Sequence, residues 1–167
     1  MKKTLFILSF ALLSNFSIAT DHYSIYLVRH AEKLADKKNP ALTQCGKLRA
    51  KLLSDLLAKT KITSVYSTSY QRTMQTAQPL ANAQKLAIKN YSPKHLEQLA
   101  FQLTQKSENA LVVGHSNTTP ILAELLAKET VAPLTEQDYQ YLYQVQFLNA
   151  QPTLTIFQQP LNCNDKK

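Results

Sequence analysis

Ala110-Leu-Val-Val-Gly114-His115 is the stretch on which the reading of the fold turns. It is continuously apolar and then stops at an imidazole. A short run with no polar alternation is the pattern of a strand covered on both faces, as in a parallel sheet flanked by helices. A second such run, Ser24-Ile-Tyr-Leu-Val28, stops at Arg29-His30. In open α/β sheets ligands bind outside the carboxyl ends of the strands, so the two histidines are expected on one rim.

The segments between and around these strands alternate in the same sense. Lys33 to Pro40 is charged and polar, hence a loop. Thr43 can cap a helix in which Leu48, Leu52, Leu53, Leu56 and Leu57 recur at helical spacing. Ile62 to Ser67 reads as a strand, Ser69 or Tyr70 through Ala83 as a helix, and Leu86 to Lys89 as a short strand. Ser92-Pro93 reads as an N-cap and first-turn proline before a helix with Leu96, Leu99, Ala100 and Leu103 on one side. Thr118 or Thr119 with Pro120 opens a further helix carrying Ile121, Leu122, Leu125 and Leu126. The ending differs: Tyr139, Tyr141, Tyr143, Val145 and Phe147 alternate with mostly polar partners. Asn149 to Pro152 then reads as a turn and Leu154 to Phe157 as a returning strand. The expected fold is α/β: a three-layer α/β/α sandwich with a mostly parallel central sheet and an antiparallel C-terminal edge hairpin.

Length and charge bound the rest. The chain has 167 residues, 44% of them hydrophobic, with 19 Lys+Arg against 11 Asp+Glu and a net charge of +8. Lys2 and Lys3, the apolar run Leu5 to Leu13 and then Ser17-Ile18-Ala19 fit a removable signal peptide over 1–19. The apolar run is about half what a bilayer-spanning helix needs, so export without stable membrane insertion is expected, with a periplasmic address. Residues 20–167 suffice for one domain, which at this size buries about 68–70% of its unfolded surface. The lysines are scattered and not interleaved with aromatic residues, which argues against nucleic acid and leaves a phosphorylated small molecule or an anionic envelope ligand as partner. Cys45 and Cys163 are the only cysteines; in an oxidising compartment they either bridge or stay free, and spacing does not decide between the two. No His or Cys stands beside either at metal-ligand spacing, so no metal is expected there.

The chemistry concentrates on the rim. Arg29, His30 and His115 follow strands directly, and Arg72 opens a helix five residues after the second strand. Two guanidinium groups, two imidazoles and a helix N-terminus at Ser116 to Thr119 suit a phosphate dianion. Leu27-Val-Arg-His-Ala-Glu-Lys33 resembles the Arg-His signature of the histidine phosphatase superfamily, the phosphoglycerate mutase-like fold. Tyr66-Ser-Thr-Ser-Tyr-Gln-Arg72 resembles its second arginine segment, and Leu111-Val-Val-Gly-His115-Ser-Asn-Thr118 its second histidine segment. The similarity runs from about Ile25 to Phe157 and is greatest to the small exported members. Ala31 stands where the commoner family pattern has glycine.

That resemblance implies a phosphatase in which His30 is transiently phosphorylated while Arg29, Arg72 and His115 hold the phosphoryl oxygens, with no cofactor. Ser116 and Asn117 are candidate substrate contacts, with Ser67 a secondary one. For leaving-group protonation the candidates are Glu97, the only acidic residue between Arg72 and Glu108, and Glu32, which also counts among the substrate contacts. The alternative is a catalytically weak module of the same fold that binds phosphate ligands. A phosphoglycerate mutase fits the fold but neither the exported address nor the short interval after Arg72.

Overall fold

The computed structural model describes residues 22–35 and 38–163; the expected signal peptide lies outside them. Six strands form one sheet: β1 (His22–Arg29), β2 (Ser64–Ser67), β3 (Ile88–Asn90), β4 (Ala110–Gly114), β5 (Tyr141–Leu148) and β6 (Gln151–Gln158). Their order across the sheet is β3-β2-β4-β1-β5-β6. The first four strands run parallel, β5 is antiparallel to β1, and β6 is antiparallel to β5. The expected α/β architecture with an antiparallel edge hairpin is therefore the observed one.

Four helices cover the sheet: α1 (Gln44–Leu56), α2 (Gln71–Gln84), α3 (Leu96–Lys106) and α4 (Thr119–Ala127). Because side chains alternate across a strand, successive residues of β1 and β4 enter opposite layers. Ile25, Leu27 and Val112 pack with Leu99, Leu103, Leu122 and Leu126 of α3 and α4. Tyr26, Val28, Leu111 and Val113 pack on the other side with Leu53, Leu57, Ala77 and Leu80, from α1, its C-terminal end and α2. Burial on both faces explains why these strands read as unbroken apolar runs. Each fully buried leucine or valine contributes about 1.5–3 kcal/mol.

Two local expectations are corrected. The leucines of α1 do not share a buried face: Leu53 and Leu57 are buried, whereas Leu48, Leu52 and Leu56 are 48, 40 and 55% exposed. Gly46 sets that face. Its Cα lies so close to the Glu32 backbone that any Cβ would collide with the Glu32 carbonyl, so the helix docks along Gly46, Ala50 and Leu53. Thr43 does cap α1, accepting from the Gly46 N–H at 3.0 Å. Likewise α4 buries Leu122, Ala123 and Leu126, and turns Ile121 and Leu125 outward.

The second correction concerns α3, which starts at Leu96 with His95 as its cap residue, not at Ser92-Pro93. Those two open a separate tight turn, closed by His95 N–H donating to the Ser92 carbonyl at 3.2 Å. Proline favours the second position of such a turn as readily as the first turn of a helix. The hairpin turn is Asn149-Ala150, both with positive φ (51° and 63°), the twist that a two-residue hairpin connection requires.

Cys45 and Cys163 are joined by a disulfide, with Cα atoms 5.9 Å apart across 118 residues of sequence, tying the start of α1 to the segment after β6. Beside it, Glu32 receives Arg49 from two sides, Nε at 2.9 and 3.0 Å and Nη2 at 2.6 Å, and Arg49 Nη2 also donates to the Leu161 carbonyl at 3.1 Å. No helix among the described residues is long and apolar enough to cross a membrane.

Candidate active site

The parallel pairing of β1 with β4 sets Arg29 opposite Gly114, and the ladder continues one step further, with His30 N–H donating to the Gly114 carbonyl at 3.0 Å. The residues that follow the two strands are thereby brought side by side, and the His30 and His115 rings lie 5.7 Å apart, edge to face. Gly114 leaves room for this. A Cβ there would press at 2.9–3.0 Å on the hydroxyls of Thr118, Thr119 and Tyr91. Ala31 is fully buried, and its N–H donates to Thr76 Oγ1 at 2.9 Å, while that hydroxyl donates to the Arg72 carbonyl at 2.7 Å. The loop after β1 and the first turn of α2 are thus pinned together, which brings Arg72 to the histidines.

Hydrogen bonding assigns the protons on both rings. His30 Nδ1 lies 2.8 Å from the Ala31 carbonyl, an acceptor only, so Nδ1 carries the hydrogen and Nε2 keeps its lone pair. Burial holds the His30 pKa down to about 3, with Arg29, Arg72 and His115 adding to the effect against the opposing Ala31 carbonyl. His115 Nδ1 faces Arg72 Nη2 at 3.4 Å; since arginine only donates, Nε2 bears the hydrogen and donates to Thr68 Oγ1 at 3.0 Å. Burial, then Arg72 and Arg29, lower the His115 pKa to about 4. Both imidazoles are neutral near pH 7.

The two arginines carry positive charge with little to match it. Arg29 is 2% exposed; its Nη1 donates to the carbonyls of Thr135 (2.9 Å) and Asp138 (3.3 Å), its Nη2 pairs with Glu136 at 3.0 Å, and the Tyr139 ring lies 4.1 Å from its guanidinium carbon. Arg72 stacks on Tyr70 at 4.5 Å. Its pKa is lowered by burial, against the opposing influence of Tyr70. The Nε atoms of Arg29 and Arg72 are both buried without a hydrogen-bond partner. Unpartnered buried donors of this strength are costly unless an anion completes them. A cavity of about 300 Å³ opens over Tyr70, Arg72, Lys94, His115 and Asn117. Larger cavities of about 370 and 530 Å³ lie away from both histidines, so chemistry and not size marks the site.

The structure brings Arg29, His30, Arg72 and His115 together, with Asn117 at the cavity and Ser116 beside it, its hydroxyl donating to Glu136 at 2.8 Å. Ser67 turns its hydroxyl back to the Thr68 carbonyl at 2.9 Å. Glu32 does not join them. It is spent on Arg49, because a buried carboxylate needs a matched cation and α1 supplies one. The one cluster of metal-ligating side chains among the described residues is Glu32, Cys45 and Cys163. Its sulfurs are tied up in the disulfide and its carboxylate in the ion pair. Glu97, in the first turn of α3, lines a neighbouring cavity with Pro93, Lys94 and His95 and does not line the one over Arg72 and His115. Four contributors went unread in the sequence: Thr68, Tyr70, Glu136 and Tyr139. Glu136 belongs to the segment between α4 and β5, where no periodicity says which residue turns inward, and Tyr139, read as the first residue of the alternating strand, lies before β5, which starts at Tyr141.

The sequence profile of the histidine phosphatase superfamily (branch 1) matches residues 25–101. No curated protein matches the sequence. Among solved structures, the protein histidine phosphatase SixA complexed with tungstate is similar at TM-score 0.63 and 17% identity, covering 81% of this chain and 96% of that one. A mycobacterial glucosyl-3-phosphoglycerate phosphatase is similar at 0.63 and 11%, covering 84% and 100%. A phosphoserine phosphatase from Entamoeba histolytica, in complex with 3-phosphoglyceric acid, is similar at 0.63 and 15%, covering 81% and 96%. Residues 25–101 thus match the sequence profile of the histidine phosphatase superfamily, and the described chain shares the fold of these phosphatases.

Proposed function

We propose that the protein is an exported, metal-independent phosphatase that hydrolyses phosphomonoesters through a phosphohistidine on His30. The observation that carries this is a neutral imidazole whose Nε2 lone pair is free, set beside two arginines whose buried Nε donors have no partner. A neutral imidazole attacks phosphorus; a protonated one cannot. The low pKa of His30 keeps it neutral, so the nucleophile needs no base to prepare it. Arg29 and Arg72 would then hold the equatorial oxygens, where the charge of phosphoryl transfer gathers, and His115 would join them once the bound dianion favours protonation of its Nδ1. A preorganised donor of this kind is worth about 2.7–4 kcal/mol in the transition state. Water completes the cycle by attacking the phosphohistidine.

The likeness to a structure holding tungstate, a tetrahedral oxyanion as phosphate is, supports the anion class. The neighbours named above differ in substrate, so the fold leaves that choice to the loops. The scattered lysines, with Lys94 at the cavity, favour a phosphorylated small molecule or an envelope phospholigand over nucleic acid. Export and a single domain over 20–167 rest on the amino-terminal pattern. Glu97, outside the phosphate cavity, favours a second reading: a phosphate-binding module with weak turnover.

Hydrolysis of an aryl phosphate in EDTA, with His30→Ala beside the unaltered protein, separates the readings. Turnover lost in the variant supports the phosphohistidine route. Phosphate binding without turnover in either protein supports the module, and turnover that survives in His30→Ala refutes His30 as nucleophile.

A further inference from the structure

Glu136 stands at a point no motif led to. One carboxylate oxygen pairs with Arg29 Nη2 at 3.0 Å and the other accepts from Ser116 Oγ at 2.8 Å, so the group bridges the end of β1 and the loop that follows β4. His30 is only 3% exposed, whereas the Glu136 side chain is 75% exposed. In-line displacement places the leaving oxygen opposite the attacking nitrogen, on the open side. We infer that Glu136 is the acid–base residue of the reaction, protonating the leaving group in the first step and taking a proton from water in the second. This rests on the phosphatase reading above.

The atoms balance around the cycle. His30 Nε2 forms a bond to phosphorus as the phosphorus–ester oxygen bond breaks, and the Glu136 carboxyl gives its proton to that oxygen. Water then forms the new phosphorus–oxygen bond as the nitrogen–phosphorus bond breaks, and one water proton returns to the carboxylate. In the free protein Glu136 is ionised, held so by the Ser116 hydroxyl first and by Arg29 next, with Lys33 adding to this. A phosphate dianion on Arg29 takes over that cation and sets further negative charge beside the carboxylate. Adjacent anions cannot both stay ionised cheaply, so substrate binding itself favours the acid form of Glu136.

Replacing Glu136 by glutamine keeps hydrogen-bonding groups toward Ser116 and Arg29 but removes the transferable proton. The test is kcat/KM, which reports the first phosphoryl transfer, for an alkyl phosphate with a poor leaving group and a nitrophenyl phosphate with a good one. Glu136→Gln is expected to lose about 100-fold on the alkyl ester and about 10-fold less than that on the aryl ester, with Glu136→Asp recovering part of the alkyl rate. Equal losses on both esters would mean that Glu136 only positions Arg29, and no loss on the alkyl ester would remove it from the chemistry; either overturns the inference. Failure of the unaltered protein to turn over either ester overturns the phosphatase reading and this inference with it.

Discussion

Arg49 and Arg72 are two arginines of one small domain, and their surroundings separate structure from function. Arg49 meets a carboxylate of its own on Glu32, a backbone carbonyl at Leu161 and the disulfide next to them, leaving only Nη1 without a partner. Arg72 meets a tyrosine face and a neutral imidazole, and its buried Nε meets nothing. Arg29 is intermediate, with one exposed carboxylate and two carbonyls against its guanidinium and its Nε likewise unpartnered. Where the fold supplies the counter-charge, arginine is an anchor. Where it withholds it, the cation is left for a ligand.

The contrast predicts opposite outcomes for the same substitution. Arg49→Ala strands the buried Glu32 carboxylate and should cost about 3–5 kcal/mol in denaturant titration, with activity per folded molecule retained. Arg72→Ala should lower kcat/KM by about 10²–10³-fold with stability kept or raised, since it removes a half-buried cation that has no carboxylate partner. If Arg72→Ala destabilises as much as Arg49→Ala does, the contrast between anchor and site is wrong. Cys45→Ser with Cys163→Ser releases the same anchor by another route. The loop is long, so roughly 2–4 kcal/mol of stability should be lost, again with activity per folded molecule retained.

The smallest effect is a pH dependence that belongs to the site alone. His30 and His115 titrate at about 3 and 4 in the fold against an ordinary 6.5. Below pH 6.5 the unfolded chain takes up protons that the folded one refuses, so stability should fall as pH drops from 6.5 toward 4 and be level with respect to these groups above it. His115→Asn should flatten part of that slope. For the same reason the acid limb of kcat/KM, expressed per concentration of ester dianion, should lie near pH 3–4, well below the usual imidazole value.

The strand ends were legible because two unbroken apolar runs each stopped at a histidine, and parallel pairing turns that coincidence of sequence into proximity. Arg72 was legible from its place just after a strand. Which face of α1 is buried was not, because the close approach of Gly46 to the Glu32 backbone outweighs the count of leucines. The role of Glu32 was hidden in the same way, its partner lying 17 residues on. Glu136 sits in an irregular segment whose course is set by carbonyls that Arg29 gathers, a tertiary fact with no local signature, and the alternation that took in Tyr139 did not show that it faces Arg29 from outside the strand.

If Arg29 and Arg72 gather a phosphoryl group over His30, that group must for a time be bonded to its ring, and the direct measurement is to look for it there. The unaltered protein, given a phosphate ester in EDTA and quenched in base during turnover, should yield a phosphorylated peptide containing His30, stable to alkali and lost in acid. His30→Ala should yield none. Turnover of the ester with no phosphoryl group on His30, or with the group on another residue, would rule out His30 as the nucleophile.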